Sequence, residues 1–152
     1  MDLFLAACQG IGLALATGIV AGAVSGGIES GGDGIGPLGS LLLTLAVGGA
    51  AVLCGASLEA EDHPAWPGWP VGALLAAGAF LTVRGVVADA TRRGGSAALI
   101  ALIAAAAGLA LAAVSLTPAS PVALVVVGAL AYLALARRRR AGEKHEGLRI
   151  LR

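Results

Sequence analysis

Charge is what this chain has least of. Only 12% of its 152 residues are charged, and 58% are hydrophobic. A soluble domain of this size carries about a quarter of its residues charged. Half that share, gathered into clusters, excludes an ordinary soluble domain. Apolar-polar alternation over segments of about ten residues, the mark of a lipid-spanning barrel, is missing as well. Lipid offers no partner to backbone polar groups, so only helices and closed barrels cross it. The class that remains is a polytopic helical membrane protein.

Other absences narrow the reading. No Lys or Arg precedes the first apolar run, so that run does not resemble a cleaved signal peptide. Leu5-Ala6-Ala7-Cys8 has the form of a lipidation box, but it lacks the basic head and the longer apolar stretch such a signal needs. The two cysteines, Cys8 and Cys54, both fall in apolar runs. They read as small packing residues rather than a disulfide. Asparagine is absent and Lys144 is the only lysine, which is the residue usage of a GC-rich bacterial genome.

What is present is a series of five apolar runs, near residues 3–24, 38–58, 71–90, 96–116 and 121–136. About 20 apolar residues cross the roughly 30 Å of bilayer hydrocarbon. Residues 1–136 therefore read as a transmembrane bundle of about five helices, and 137–152 as a basic tail. The fifth run is short for a span and needs help from snorkelling arginines. The alternative keeps four spans, with the first run bent at its glycines into a re-entrant or interfacial segment.

Within the first run Gly10, Ala14, Gly18, Gly22 and Gly26 recur every four residues. Positions four apart stack on one helix face. That face is nearly bare, and small residues let a second membrane helix approach closely. The partner is either another helix of this chain or a second copy. Ser25–Pro37 is a glycine-rich connection carrying Glu29 and Asp33. Gly34, Gly36 and Gly39 give G-x-G-x-x-G, but no strand precedes it, so a dinucleotide site is not expected.

The second run ends in Glu59, Glu61, Asp62 and His63, followed by Pro64-Ala65-Trp66-Pro67-Gly68-Trp69-Pro70. Three prolines forbid a continuous helix there. Trp66 and Trp69 suit the membrane-water boundary as interfacial anchors. Acids beside His63 are a possible cation site. No second ligand cluster accompanies them, and no metal is expected.

The third run, Val71–Ala90, is the only one with charges inside it, Arg84 and Asp89. Arg84 lies about 9 Å from the nearer end of that run, within snorkelling reach of the interface. It is either a snorkelling arginine or a group facing a polar cavity and an anion. Asp89 stands at the spacing of a local ion pair with Arg92 and Arg93. Arg84, Arg92, Arg93, Arg137, Arg138, Arg139 and Arg140 are the candidate contacts for anionic lipid headgroups, each worth about 1 kcal/mol near a charged surface.

Threading five helices places every Lys and Arg at one end. Short loops obey the positive-inside rule. The basic end and the C-terminus are thus expected in the cytoplasm, in an inner cell membrane. The glycine-patterned first helix, the exit through Glu59 and Asp62 into the Pro/Trp turn, the segment Gly72-Ala73-Leu74-Leu75-Ala76-Ala77 and the polybasic tail resemble an uncharacterised group of small bacterial membrane proteins, classed as a domain of unknown function. The resemblance implies no activity and transfers no functional residue.

Catalysis is not expected. No carboxylate pair lies within a span, no Ser or Cys lies near a His, and His63 and His145 fall on opposite sides. No cofactor or nucleic acid is expected either. The leading expectation is a structural or accessory subunit that assembles through the glycine face, as a homo-oligomer or with another membrane protein. The alternative is a small oligomeric transporter, channel or lipid-handling protein using Arg84. Transport sites need polar groups near the midplane. Gln9, Thr17, Thr44, Thr82 and Arg84 are the only candidates, and the first span lacks the acid that a small multidrug exporter would carry.

Overall fold

The computed structural model describes residues 2–29, 34–117 and 121–147. Five helices make up the described chain: α1 Asp2–Ile28, α2 Pro37–Glu59, α3 Gly68–Arg92, α4 Ala97–Ser115 and α5 Val122–Gly147. The first four are long and apolar enough to cross a membrane, and α5 contributes a shorter apolar part, Val122–Arg137. The architecture is an all-helical bundle compatible with a multi-pass membrane protein.

α1 is the centre, packing against each of the other four helices. It is one unbroken helix, so its glycines do not bend it into a re-entrant pair. The helices alternate in direction. The start of α1 meets the end of α2, where Gly10 faces Cys54 and Ser57, while Gly39 near the start of α2 faces Ser25 and Glu29. α3 runs parallel to α1: Gly18 lies on Ala76, Gly22 on Phe80, and Gly26 on Arg84 and Val87. α4 returns antiparallel, with Ala101 against Gly27 and Ser115 against Gly12. The connection after α1, the turn after α3 and the arginines of α5 therefore share one end of the bundle.

Small residues set how closely these helices pack. Ala14, Ala50 and Ala76, from α1, α2 and α3, are fully buried against one another. A second cluster joins Leu15, Ile19 and Ala23 of α1 to Ala79, Val83 and Val87 of α3 and Leu111 of α4. Outside this interior the surface is greasy: Leu45, Val52, Leu74, Leu102, Leu109 and Val125 are all exposed. Contiguous apolar surface on this scale suits lipid rather than water.

Three boundaries differ from the sequence expectation. α3 starts inside the Pro/Trp stretch, because Pro70 in a first helical turn loses no intrahelical hydrogen bond. Trp69 thus sits on the helix, and only Trp66 remains in the turn. Both rings are exposed, and Trp69 lies over Gly55. α1 runs four residues past the expected end of its apolar stretch. α5 does not stop at Ala136 but continues through the four arginines to Gly147, since arginine is a good helix former.

Turn chemistry ends two of the helices. After α2, His63 N–H bonds the Leu58 carbonyl (3.1 Å) and Asp62 N–H the Glu59 carbonyl (3.0 Å), with Asp62 at φ 59. After α3, Gly95 bonds Ala90 and Gly94 bonds Thr91, each at 3.0 Å, with Gly94 at φ 86. Both are Schellman ends, in which a left-handed residue lets its own amide and the next one satisfy the last carbonyls.

Candidate functional site

The site begins with a capping problem. α2 starts at Pro37 after Gly36, and neither Gly36 nor the third helical residue, Gly39, has a side chain to cap it. The first amides of a helix have no partner within it. Glu29, at the end of α1, supplies both acceptors. Its Oε1 accepts from Gly39 N–H (2.9 Å) and its Oε2 from Gly36 N–H (3.2 Å). One carboxylate thus does the work of both halves of a capping box, from another helix. It also sits at the positive end of the α2 dipole. The Ser25 hydroxyl donates to Oε2 at 3.3 Å.

The two glycines are required for space. A Cβ on Gly36 would lie 2.9 Å from the Glu29 carboxyl carbon, and one on Gly39 would lie 2.7 Å from the Ser25 hydroxyl. The G-x-G-x-x-G pattern does cradle an anion, and the anion belongs to the chain. The Gly39 amide, more than any other group, holds the Glu29 carboxyl below its ordinary value. Gly36, Ser25 and Arg84 add to this, while desolvation opposes it.

Arg84 completes the cluster from α3. Its Nη2 lies 3.5 Å from Glu29 Oε2, and both side chains are only 15% exposed. The same nitrogen donates to the Gly34 carbonyl. Among the described residues, Nε of Arg84 is buried without a hydrogen-bond partner. Sequence reasoning offered snorkelling or an open cavity for Arg84. In the bundle the guanidinium turns inward to an acid of the α1–α2 connection. The signal that could have found this pair was the threading itself, which puts Glu29 and Arg84 at the same end.

A second ion cluster lies beside the first. Asp89 accepts from Arg92 (2.5 Å), the expected local pair, and from Nη2 of Arg137 on α5 (2.8 Å). Arg137 Nη1 also donates to the Thr82 carbonyl at 3.1 Å. Gly85 makes that reach possible, because any side chain there would overlap the Arg137 guanidinium. Of the other candidate lipid contacts, Arg93 and Arg139 are exposed. Arg138 and Arg140 lie on α5, with side chains outside the described ones. Leu148, Ile150 and Leu151, expected to dip into the interface, also lie outside the described residues, as does Asp33.

The glycine face has its partner within the chain. Gly18, Gly22 and Gly26 meet α3, Ala14 packs on α2 and α3, and Gly10 meets α2. This face is therefore covered, and it does not stand open to a second protein as the expected mode of assembly required. The reason is the α1–α3 parallel packing, which consumes the seam over three successive turns.

Two clefts open on the helix surfaces. One, about 400 Å³, runs along α1 between α2 and α4, and the other, about 180 Å³, lies between α3 and α5. Both are lined by apolar side chains apart from Thr17 in the first and Thr82 in the second, and neither is lined by Arg84. The hydroxyls of both threonines donate to carbonyls of their own helices, Ala14 and Gly78. Comparison of the chain with protein families, with functionally characterised proteins and with solved structures gives no match.

Proposed function

We propose that this chain is a structural or accessory membrane protein, and that Arg84 fastens the bundle rather than moving a substrate. The observation that carries the reading is the Glu29–Arg84 pair. A transport site needs a polar group exposed to a pathway near the midplane. The interior charge is matched by an acid of the same chain, and that acid is occupied in turn by two amides of α2. Pairing with an opposite charge is the form in which charge is tolerated next to lipid.

The rest of the reading concerns orientation and assembly. Arg92, Arg93, Arg137 and Arg139 share the Glu29 end, and an excess of arginine in short segments marks the cytoplasmic side. The proposed location is an inner cell membrane with this end and the C-terminus inside. Assembly with a second copy or another membrane protein would use the outer apolar faces of α2, α4 and α5, since the glycine face of α1 is covered.

Proteoliposomes test the function. Proton and chloride flux through wild-type protein should equal that of empty liposomes, and Arg84→Ala should not change it. Flux above background that is lost in Arg84→Ala would overturn the proposal in favour of a transporter.

A further inference from the structure

α2 and α4 both lean on α1 but do not touch each other among the described residues, so α1 is uncovered between them. The floor of this cleft is Leu13, Thr17, Val20 and Val24, and its walls include Leu45 of α2 and Leu109 of α4. We propose that the cleft seats one acyl chain of an anionic phospholipid, drawn from the leaflet at the arginine end. The proposal rests on reading the chain as a bilayer protein and adds a specific lipid to it.

Three observations carry it. The first is length. From Leu13 to Val24 the floor runs about 16 Å, close to the roughly 15 Å of hydrocarbon in one leaflet. It begins near the middle of α1 and ends about one turn before Ile28, so it lies mainly in the half of α1 at the arginine end. A helix from a second copy would instead need a seam of the full 30 Å or so.

The second is polarity. The cleft presents apolar side chains, and its one hydroxyl, on Thr17, is turned back to the Ala14 carbonyl at 2.8 Å. An unbranched hydrocarbon fits such a floor, and no polar ligand finds a partner on it. The third is charge. At this end, among the described side chains, Arg84, Arg92, Arg93, Arg137 and Arg139 stand with two acids, Glu29 and Asp89. Glu29 engages Arg84, and Asp89 engages Arg92 and Arg137, with Arg93 close enough to act on it through space. The exposed Arg93 stands in the turn that leads directly into α4, one wall of the cleft. The excess of positive charge selects an anionic headgroup over a zwitterionic one.

Native mass spectrometry of the full chain, delipidated in detergent and then titrated, tests this. Phosphatidylglycerol and phosphatidylcholine with identical chains are the two probes. One phosphatidylglycerol per chain should be retained in preference to phosphatidylcholine. Arg93→Gln should reduce that preference about fivefold while leaving chain retention. Ala21→Leu with Ala112→Leu fills the cleft and should abolish the retained lipid. Equal retention of the two lipids by wild type would overturn the proposal, whether or not the filled variant folds. A two-chain particle disrupted by filling the cleft would also overturn it, assigning the cleft to a second copy. Neither result bears on flux, so failure here is separable from failure of the structural reading.

Discussion

Gly22→Ala should destabilise this protein by about 1–3 kcal/mol, although alanine is the better helix former. The added Cβ would lie 2.6 Å from the Phe80 carbonyl oxygen and 3.0 Å from its Cα, where ordinary contact begins near 3.4 Å. The atoms it meets are backbone, so no side chain can swing aside. α1 and α3 must separate by about 0.8 Å. A gap of that size forfeits a quarter to a half of each dispersion contact it opens. The loss extends to Gly18 on Ala76 and Gly26 on Val87, which share the seam. Gly48→Ala on the outer face of α2 is the internal control, because a Cβ there meets nothing within 4 Å. It should be neutral or stabilise by up to about 1 kcal/mol, the helix-propensity gain. Unfolding in mixed micelles by denaturing detergent, followed by circular dichroism, measures both. Equal effects of the two substitutions would refute the close α1–α3 packing.

Two further outcomes follow from the charged end. The Glu29 carboxyl is held below its ordinary value, so its stabilisation is complete above that ordinary value, fades as pH falls below it and is gone once pH has fallen through the lowered one. Exchange protection of the Gly39 amide should accordingly persist in mild acid and collapse in stronger acid, and Glu29→Gln should remove this pH dependence; an unchanged profile in the variant would contradict the cap. Gly85→Val should displace the Arg137 guanidinium and loosen α5, which packs lightly on its neighbours. Limited proteolysis should then cut the arginine segment faster than in wild type, as it should for Arg137→Gln.

The parts of the fold that were legible in the sequence were those fixed by a single helix. Apolar run length gave the helices, and the four-residue glycine spacing gave a close-packed face. The same spacing could not say whose helix fills that face, because a bare surface accepts any partner of matching shape. Pro70 was misjudged because a proline that breaks a helix interior is harmless in a first turn. The arginines of the tail were read by charge, while their helix propensity decided the backbone. The site was half legible. Arg84 stood out as the charge inside an apolar run. Glu29 did not, because an acid in a glycine-rich connection has no helical spacing to announce its partner. Gly34, Gly36 and Gly39 have the spacing of a phosphate motif without the strand it needs, and a carboxylate from the neighbouring helix end takes the place of the phosphate at Gly36 and Gly39 by the same physics.

The central claim is that Glu29 and Arg84 satisfy one another inside the chain. A double-mutant cycle tests it most directly, with Glu29→Gln, Arg84→Gln and the pair compared by unfolding in mixed micelles. Glu29→Gln strands the Arg84 charge, while Arg84→Gln leaves the Glu29 charge to the α2 amides and Ser25 alone, so the double variant should lose clearly less stability than the sum of the two. Strict additivity would mean that the two residues do not interact, and would contradict the account.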